Sequence, residues 1–336
     1  MHELHHGNCL DILRTMPDCS IDAVVTDPPY GLSFMGKRWD YDVPSTEIWA
    51  ECLRVLKPGG YLLAFAGTRT QHRMAVRIED AGFEIRDMLA RMYGSGFPKS
   101  HNLDGEHQGW GTALKPAMEP ITMARKPFKG TVADNVQMHG TGAINIDGCR
   151  IETADSWKLM RGSVVGLDGG FLKHKKEIPR HSNNHGRFPA NVMHDGSEDV
   201  LQGMGEAARF FYTPKACKDD RDDGCEMMEE RWKAGYSYTD TPGNAADGMF
   251  KDRETLKRNF HPTVKPTDLM RYLCRMVTPT GGVVLDPFTG SGSTGRGAVL
   301  EGLRFIGCEM DADYIEIAKA RILAAEKAYQ PCLTFD

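Results

Sequence analysis

The chain has 336 residues, enough to bury a large core in one domain or to form two domains of ordinary size. Its composition is that of a globular protein, its net charge is −5, and no apolar run approaches the roughly 18 residues needed to span a membrane. Nine cysteines without a Cys-x-x-Cys pair and twelve dispersed histidines indicate reduced thiols and predict no metal site. The amino end, MHELHHGNCLDIL, lacks the layout of a signal peptide, so we expect a cytoplasmic protein that binds neither membrane nor metal.

The first 95 residues alternate between apolar strands and amphipathic helices. A buried strand is predicted for IDAVVT, a helix for STEIWAECLRVL, a strand for YLLAF, a helix for TQHRMAVRIEDAG and a strand for FEIRDMLARM. Asp27 ends the first of these strands, and Pro28, Pro29 and Tyr30 follow at once. The motif places a carboxylate, a stiff backbone and an aromatic ring at one strand end. Taken alone, it also fits an ordinary strand followed by a proline turn.

The stretch 96–260 has a different character, rich in Gly, Pro, Asn, His and Asp, with weak periodicity. A structureless loop of this length is improbable inside a compact domain, so we expect an inserted module. It contains a locally basic run, FLKHKKEIPRHSNNHGR, and the segment LKPAMEPITMARKP. Local positive charge is typical of contacts to phosphate, although such a run is equally typical of a solvated loop.

From residue 266 the alternation of helices and strands resumes. The segments are the helix TDLMRYLCRMV, the strand GVVLD, the helix STGRGAVLEG, the strand RFIGCE and the helix DADYIEIAKARILAAEKA. Strands alternating with helices predict an α/β fold whose mainly parallel sheet carries helices on both faces. We therefore expect residues 1–95 and 261–330 to form one domain, 96–260 to be inserted in it, and 331–336 to be a tail.

A glycine-rich loop lies between two of these elements, in the sequence VVLDPFTGSGSTGRGAVLEG. Gly290, Gly292 and Gly295 fit the pattern GxGxxG between a strand and a helix. Glycine lets the backbone approach a ligand, and a helix amino end favours polar or anionic groups. Glu309 ends the next strand, where a carboxylate suits two ribose hydroxyls. The pattern predicts a nucleoside-type cofactor but does not separate a nicotinamide dinucleotide from S-adenosylmethionine.

Together, DPPY at Asp27–Tyr30 and DPFTGSGST at Asp286–Thr294 resemble the exocyclic-amino DNA methyltransferases, which use S-adenosylmethionine. The order of catalytic motif, recognition region and cofactor loop is similar to that of the beta group. HHGNCLDIL, LKPGG and HPTVKPTDLMRYL match as well, so the resemblance covers residues 1–95 and 261–326. It implies a Rossmann-like S-adenosylmethionine-dependent fold, a target-recognition region in the insertion, duplex DNA as the substrate and a homodimer.

The resemblance assigns roles to the DPPY residues. Asp27 and the carbonyl of Pro28, stiffened by Pro29, would accept the two protons of the target amine, and Tyr30 would stack on a flipped base. Candidate DNA contacts are Lys115, Arg125, Lys126, Lys173, Lys175, Lys176 and Arg187, and Glu119 is a further candidate to face the target base or phosphate.

The resemblance also implies a cofactor site. Glu309 would bind the ribose hydroxyls, and Thr263 and Lys265 would lie near the cofactor carboxylate. The family usually has Asp where this chain has Asn8, so the contact to the adenine ring stays open between Asn8, Cys9 and Asp11. The residues implied to hold the methionine end and the ribose are Asp286, Pro287, Phe288, Gly290, Ser291 and Gly292.

Several alternatives remain at this stage. Enzymes acting on cytosine N4 often have Ser where this chain has Asp27, so adenine N6 is favoured and cytosine N4 is the alternative. Cytosine C5 methylation is disfavoured, because the only Pro-Cys pair, Pro331-Cys332, lies in the terminal tail. A nucleotide-dependent oxidoreductase would leave DPPY without a role, and a non-catalytic DNA-binding regulator is a third possibility. We expect a stand-alone modification enzyme of a bacterium or its phage.

Overall fold

The computed structural model describes residues 2–32, 40–96, 100–152, 186–214, 220–232 and 256–329. The strands are β1 (His2–His6), β2 (Ile21–Thr26), β3 (Leu56–Phe65), β4 (Glu84–Met92), β5 (Met118–Arg125), β6 (Val192–His194), β7 (Arg231–Trp232), β8 (Leu256–Lys257), β9 (Val283–Asp286) and β10 (Arg304–Glu309). The helices are α1 (Cys9–Thr15), α2 (Thr46–Val55), α3 (Gln71–Asp80), α4 (Val132–His139), α5 (Glu198–Met204), α6 (Thr267–Val277), α7 (Ser293–Leu300) and α8 (Ala312–Ala328). None of the helices in these ranges is both long and apolar enough to cross a membrane.

Eight strands form one sheet in the order β1-β10-β9-β2-β3-β5-β4-β6, and β7 pairs with β8 alone. All neighbours in the large sheet are parallel except β5, which runs antiparallel to β3 and β4. The α/β class and the mainly parallel sheet predicted from the sequence are confirmed. The chain proceeds from β2 to β3 in one direction and from β9 to β10 in the other, so the switch point lies between β2 and β9. Crevices at such points are where open α/β sheets bind ligands.

Both faces of the sheet are buried. Ala23 and Val25 of β2 pack on the side of α6, α7 and α8, and Val24 packs on the side of α1, α2 and α3. Each of the two valines contributes about 1.5–3 kcal/mol when it leaves water. A strand buried on both faces appears in the sequence as an uninterrupted apolar run, which is why IDAVVT predicts β2 without alternation.

Two strands of the sheet come from the stretch 96–260. β5 lies between β3 and β4, and β6 extends the edge beside β4. The predicted boundary at residue 95 is therefore corrected, because the sheet continues into the stretch assigned to the insertion. The apolar residues of β5 are covered on both faces and show no alternation, so periodicity does not separate them from a buried loop. The recognition role of this stretch stays a prediction.

A second part of the predicted insertion, residues 220–223, docks on the amino end of α6 and on α7. The backbone nitrogen of Thr267 donates to Asp220 Oδ2 at 2.6 Å, and the backbone nitrogen of Asn259 donates to Asp222 Oδ1 at 2.9 Å. Asp223 forms an ion pair with Arg296 of α7. These three aspartates are therefore structural contacts, and Asp220 fixes the amino end of α6.

The Lys-Pro-Gly-Gly sequence after α2 forms a bulge at the start of β3. Leu56 pairs with Ile21 but Tyr61 pairs with Ala23, so the register shifts across 57–60, and Gly59 has φ +79°. The nitrogen of Gly59 donates to the carbonyl of Lys126 and the nitrogen of Lys126 donates to the carbonyl of Gly60, at 3.1 and 2.9 Å. The local turn is therefore kept inside β3, where it pairs with the chain beyond β5.

We expect Trp49→Ala to lower the free energy of unfolding by about 3–5 kcal/mol, because it leaves a large cavity in the core. Trp49 is 0% exposed and its ring meets Phe288 edge-on at 6.3 Å between centroids. Urea denaturation followed by circular dichroism measures the change. Val76→Ala, at a position 52% exposed on α3, is the control and should change stability by less than about 0.5 kcal/mol. Equal effects of the two substitutions would contradict this account of the core.

Candidate active site

The DPPY motif and the glycine-rich loop meet at the switch point of the sheet. Thr26, the last residue of β2, donates its hydroxyl to Asp286 Oδ1 at the end of β9, at a distance of 2.6 Å. Both residues are buried. Asp27 and the 287–292 loop therefore begin at adjacent strand ends, although 260 positions separate the bonded pair in sequence.

Four polar side chains converge at the DPPY turn, and we call Asp27, Tyr30, Glu119 and Lys265 the Asp27 cluster. The Tyr30 hydroxyl lies 2.7 Å from Asp27 Oδ1 and 2.8 Å from Glu119 Oε1. The Lys265 ammonium lies 2.7 Å from Glu119 Oε1, 3.0 Å from the Tyr30 hydroxyl and 3.1 Å from Asp27 Oδ1. Arg91 supports the cluster from β4, donating to Glu119 Oε2 at 3.1 Å.

Burial and charge set the protonation of the Asp27 cluster. Burial raises the pKa of Asp27, an effect that Lys265 opposes and the charge of Glu119 reinforces. Burial also disfavours the charged form of Glu119, but Lys265 and Arg91 outweigh it and hold the pKa of Glu119 below its ordinary value. For Lys265, the two carboxylates outweigh the effect of burial and raise its pKa. The cluster therefore holds a charged lysine between two carboxylates in a water-poor site.

The backbone of the DPPY turn is fixed by two polar side chains. Asp40, which is buried, accepts hydrogen bonds from the backbone nitrogens of Tyr30 and Gly31 at 2.6 and 2.9 Å. The hydroxyl of Thr70 donates to the carbonyl of Tyr30 at 2.6 Å. The stiffness expected from Pro28 and Pro29 is thus reinforced by bonds that fix the next residue. The sequence motif contains no sign of Asp40, which lies ten positions after Tyr30.

The glycine-rich loop adopts backbone angles that suit glycine. Gly290 has φ +52° and Gly292 has φ +78°, a region that side chains disfavour. A Cβ on Gly290 would lie 2.8 Å from His261 Nε2, and one on Gly292 would lie 2.8 Å from the Cα of Ala318. The backbone nitrogen of Gly290 donates to Glu309 Oε2 at 2.8 Å. The loop is therefore drawn tightly over α8 and towards the acidic end of β10.

Two residues predicted to contact a cofactor instead lie beneath the loop. Asp286 accepts the backbone nitrogen of Phe288 at 3.0 Å, and burial raises its pKa to about 6 despite hydrogen bonds from Thr26 and Thr294. Ser291 is buried, and its carbonyl accepts from Arg321 at 2.6 Å. Both side chains shape the loop from its inner side, and direct contact with a cofactor stays a prediction for them.

Arg321 is a fully buried cation that the sequence prediction missed. Its guanidinium donates to the carbonyl and hydroxyl of Ser291, to the hydroxyl of Ser293 and, at 2.8 Å, to the carbonyl of Asp220. Burial, with Arg296 nearby, lowers the pKa of Arg321 to about 10. It lies on the face of α8 that buries Ala318 and Ile322. The signal in the sequence that could have identified it is a single arginine on the otherwise apolar face of α8.

The three candidates near the end of β1 differ in their surroundings. Asn8 caps α1, and its side-chain oxygen accepts the backbone nitrogen of Leu10 at 2.9 Å. Burial raises the pKa of Cys9 to about 11, and the charge of Glu309 adds to the effect. Asp11 is exposed and lies 3.8 Å from Arg14. Cys9 is thus the candidate that is most buried and that senses the charge of Glu309.

Thr263 and Lys265 lie on different sides of the site. The carbonyl of Thr263 accepts from His261 Nδ1 at 2.5 Å, and burial lowers the pKa of His261 to about 4, so that its ring is neutral at pH 7. The same ring packs against Gly290 and meets Tyr314 edge-on at 4.5 Å. Lys265 belongs to the Asp27 cluster instead. The sequence motif HPTVKP therefore reaches both the glycine-rich loop and the DPPY turn.

The predicted DNA contacts are scattered. Arg125 is buried and bonds Glu84 Oε2 at 2.7 Å, and the ammonium of Lys126 donates to the carbonyl of Leu56 at 2.7 Å. Both lie at the end of β5 opposite the DPPY turn, so the structure does not bring them to the site. Lys115 is exposed and forms an ion pair with Asp199. Arg187 donates to the carbonyl of Arg209, whereas Lys173, Lys175 and Lys176 lie outside the described residues.

The arrangement can hold a nucleoside-type cofactor next to an amine substrate. The two oxygens of Glu309 accept the backbone nitrogens of Gly290 and Asp311, each at 2.8 Å, and a carboxylate has further lone pairs with which to accept a hydroxyl. Phe288 supplies an apolar surface beside the loop. Among the residues described, no group of three or more His, Cys, Asp or Glu side chains is arranged to hold a metal ion.

The chain is similar to known DNA methyltransferases. A family model described as DNA methylase, the N6/N4 methylase family, matches residues 21–320. The type II methyltransferase M.HindIII of Haemophilus influenzae is 25% identical over 293 residues, which cover 82% of this chain and 67% of the relative. The DNA adenine methyltransferase YhdJ of Escherichia coli is 25% identical over 324 residues, covering 94% and 81%.

Among solved structures, the cytosine-N4-specific PvuII DNA methyltransferase has a TM-score of 0.54 at 16% identity, with 95% of this chain and 86% of that chain covered. This likeness supports the fold alone. The family match spans the DPPY turn, the glycine-rich loop and the strands between them. The chain therefore belongs to the N6/N4 DNA methylase family, and is a methyltransferase that acts on DNA.

Proposed function

We propose that the protein transfers a methyl group from S-adenosylmethionine to the N6 amine of adenine in duplex DNA, after the base has been flipped out of the helix. The observation that carries the proposal is the convergence of Asp27 and the glycine-rich loop at one switch point, joined by the Thr26–Asp286 bond of 2.6 Å. An acceptor for amine protons and a cofactor loop are thus adjacent.

Asp27 and the Pro28 carbonyl prepare the amine for reaction. An aromatic amine is a weak nucleophile because its lone pair is delocalised into the ring. Two acceptors off the ring plane favour a tetrahedral nitrogen, and they stabilise the positive charge that develops on it. Asp40, which accepts the backbone nitrogen of Tyr30, and Thr70, which donates to its carbonyl, keep this geometry fixed, and alignment contributes a large share of the rate.

Tyr30 receives the flipped base in this proposal. Stacking on an aromatic ring is worth about 1–3 kcal/mol per base and offsets part of the stacking lost from the duplex. Glu119 and Lys265 hold the Tyr30 hydroxyl at 2.8 and 3.0 Å, so the ring has a defined orientation before DNA binds.

The chain's own groups fit the cofactor at the other side of the switch point. S-adenosylmethionine supplies the electrophilic methyl group when bound. Gly290 and Gly292 expose backbone to it, and the Glu309 carboxylate accepts the ribose hydroxyls. Arg321 and Asp286 support the loop from beneath.

The resemblance to the beta group further supports a homodimer that works in a bacterial cytoplasm without a metal ion. Adenine rather than cytosine is proposed because Asp27 occupies the first position of the motif, and because one relative is named an adenine methyltransferase.

The product decides between adenine and cytosine. Purified protein, labelled S-adenosylmethionine and mixed duplex DNA should yield N6-methyladenine when the DNA is digested to nucleosides and separated by mass spectrometry. N4-methylcytosine as the sole product would overturn the adenine assignment but keep an amino-methyltransferase. Binding of DNA without any transfer would support a non-catalytic regulator instead.

We expect Asp27→Asn to slow methyl transfer by about 10²–10⁴-fold, because an amide presents one acceptor and no charge to the developing cation. Single-turnover tritium transfer measures the rate, and calorimetry should find S-adenosylmethionine affinity changed by less than about twofold. Asp18→Asn, an exposed carboxylate near the opposite end of β2, is the control and should leave both values unchanged. An equal loss of rate and cofactor affinity in Asp27→Asn would argue against its role.

Glu309→Ala should weaken S-adenosylmethionine binding by at least about tenfold, because two hydrogen bonds to a charged acceptor and the ribose contact are lost together. Glu309→Gln retains one oxygen acceptor and should fall between the wild type and the alanine variant. The dissociation constants are measured by calorimetry. A wild-type dissociation constant for Glu309→Ala would remove Glu309 from the cofactor site.

A further inference from the structure

We propose that Lys265 and Glu119 are positioning residues for Asp27. Lys265 holds one oxygen of the Asp27 carboxylate, and Glu119 holds Lys265 so that the other oxygen stays open to the target amine. The inference rests on the proposed function and deepens it. It also gives Lys265 a different partner from the cofactor carboxylate that the sequence resemblance implies.

The contacts of Asp27 are one-sided. Within the described part of the chain, Tyr30 and Lys265 both reach Oδ1, at 2.7 and 3.1 Å. The Oδ2 atom is the oxygen left for a substrate proton. Two contacts on one oxygen fix the rotation of the carboxylate, which an unsupported aspartate side chain would not maintain.

Lys265 is needed because two carboxylates share the Tyr30 hydroxyl. That oxygen lies 2.7 Å from Asp27 and 2.8 Å from Glu119, but it carries a single proton and can donate to only one of them at a time. Without a cation between them, the buried carboxylates would repel each other and one would take up a proton. The Lys265 ammonium lies within 3.1 Å of both.

Glu119 is needed because a lysine paired with Asp27 alone would weaken that carboxylate as a hydrogen-bond acceptor for the amine. The ammonium is closer to Glu119, at 2.7 Å, than to Asp27, at 3.1 Å. Arg91 holds the second oxygen of Glu119 and fixes its direction. Glu119 therefore takes the stronger share of Lys265 and leaves Asp27 the weaker ion pair.

The charged groups around Asp27 predict opposite effects of the two substitutions. Facing Asp27 are Glu119 from β5 with Arg91 of β4 behind it, Lys265 from the segment before α6, and Asp286 from the end of β9. Burial raises the pKa of Asp27, Lys265 lowers it and Glu119 raises it. Removing Lys265 should therefore raise this pKa further, and removing the charge of Glu119 should lower it.

The test is the pH dependence of single-turnover methyl transfer to duplex DNA. The rate should fall at low pH as Asp27 gains its proton. In Lys265→Met this acid limb should move to higher pH by about one unit or more, and in Glu119→Gln it should move to lower pH. Both variants should be slower than wild type at their pH optimum, because Asp27 is less well oriented. Lys265→Arg retains a cation and should keep the limb near its wild-type position.

The β4–β5 ladder offers a matched control. Glu84 and Arg125 are paired across the same two strands as Arg91 and Glu119, and each pair forms an ion pair. Glu84→Gln therefore removes an equivalent charge at the far end of the ladder and should leave the pH profile unchanged. Thermal midpoints of all variants show whether each is folded at the assay temperature.

Three outcomes are distinguishable. If Lys265→Met and Glu119→Gln slow transfer without moving the acid limb, their role is structural and the inference is wrong. If Lys265→Met weakens S-adenosylmethionine binding, measured by calorimetry, as much as it slows transfer, Lys265 is a cofactor contact and the inference is also wrong. Absence of transfer by the wild type would overturn the proposed function itself, and with it the inference.

Discussion

The hydrogen bond between Thr26 and Asp286 is the constraint on which the site depends. It joins the ends of β2 and β9 at the point where the chain turns in opposite directions across the sheet. The DPPY turn, which follows β2, and the glycine-rich loop, which follows β9, therefore start at a fixed distance from each other. Because the bond is buried and one partner is a carboxylate, its loss would leave a charged group in the core with one donor fewer.

Holding this carboxylate in the core costs stability. Burial raises the pKa of Asp286 to about 6, well above that of an exposed aspartate. The cost is absent below the ordinary carboxyl pKa, where the group is protonated in both folded and unfolded chains, and is complete above about pH 6. Hydrogen bonds from Thr26, Thr294 and the Phe288 backbone offset part of it. An apolar residue at position 286 would give a more stable core, so the carboxylate is best explained by the loop geometry that it maintains.

The sequence predicted the strands and helices on both sides of the switch point. Apolar runs and helix signals located β2, β4, β9, β10 and the helices beside them, and the DPPY and glycine motifs located the two halves of the site. It did not predict β5, whose two faces are both covered, or the brace formed by Arg321. Nor could it place Lys265 in the Asp27 cluster, because this lysine is 235 positions from Tyr30 in sequence and their contact depends on how the segment before α6 packs. Local patterns identify elements, whereas side-chain partners between distant elements follow only from packing.

Lys265 illustrates why a motif position does not fix a role. His261 in the same short segment packs against the glycine-rich loop, while Lys265 reaches the Asp27 cluster. The segment therefore spans the gap between the cofactor loop and the amine acceptor. A substitution within it would alter both sides, and loss of rate alone would not identify which. The separation of the two effects requires a property that belongs to one side only. The shift of the acid limb in Lys265→Met and Glu119→Gln is such a property, because these two charges act on the pKa of Asp27, whereas Asp286 and Glu309 on the cofactor side have partners of their own.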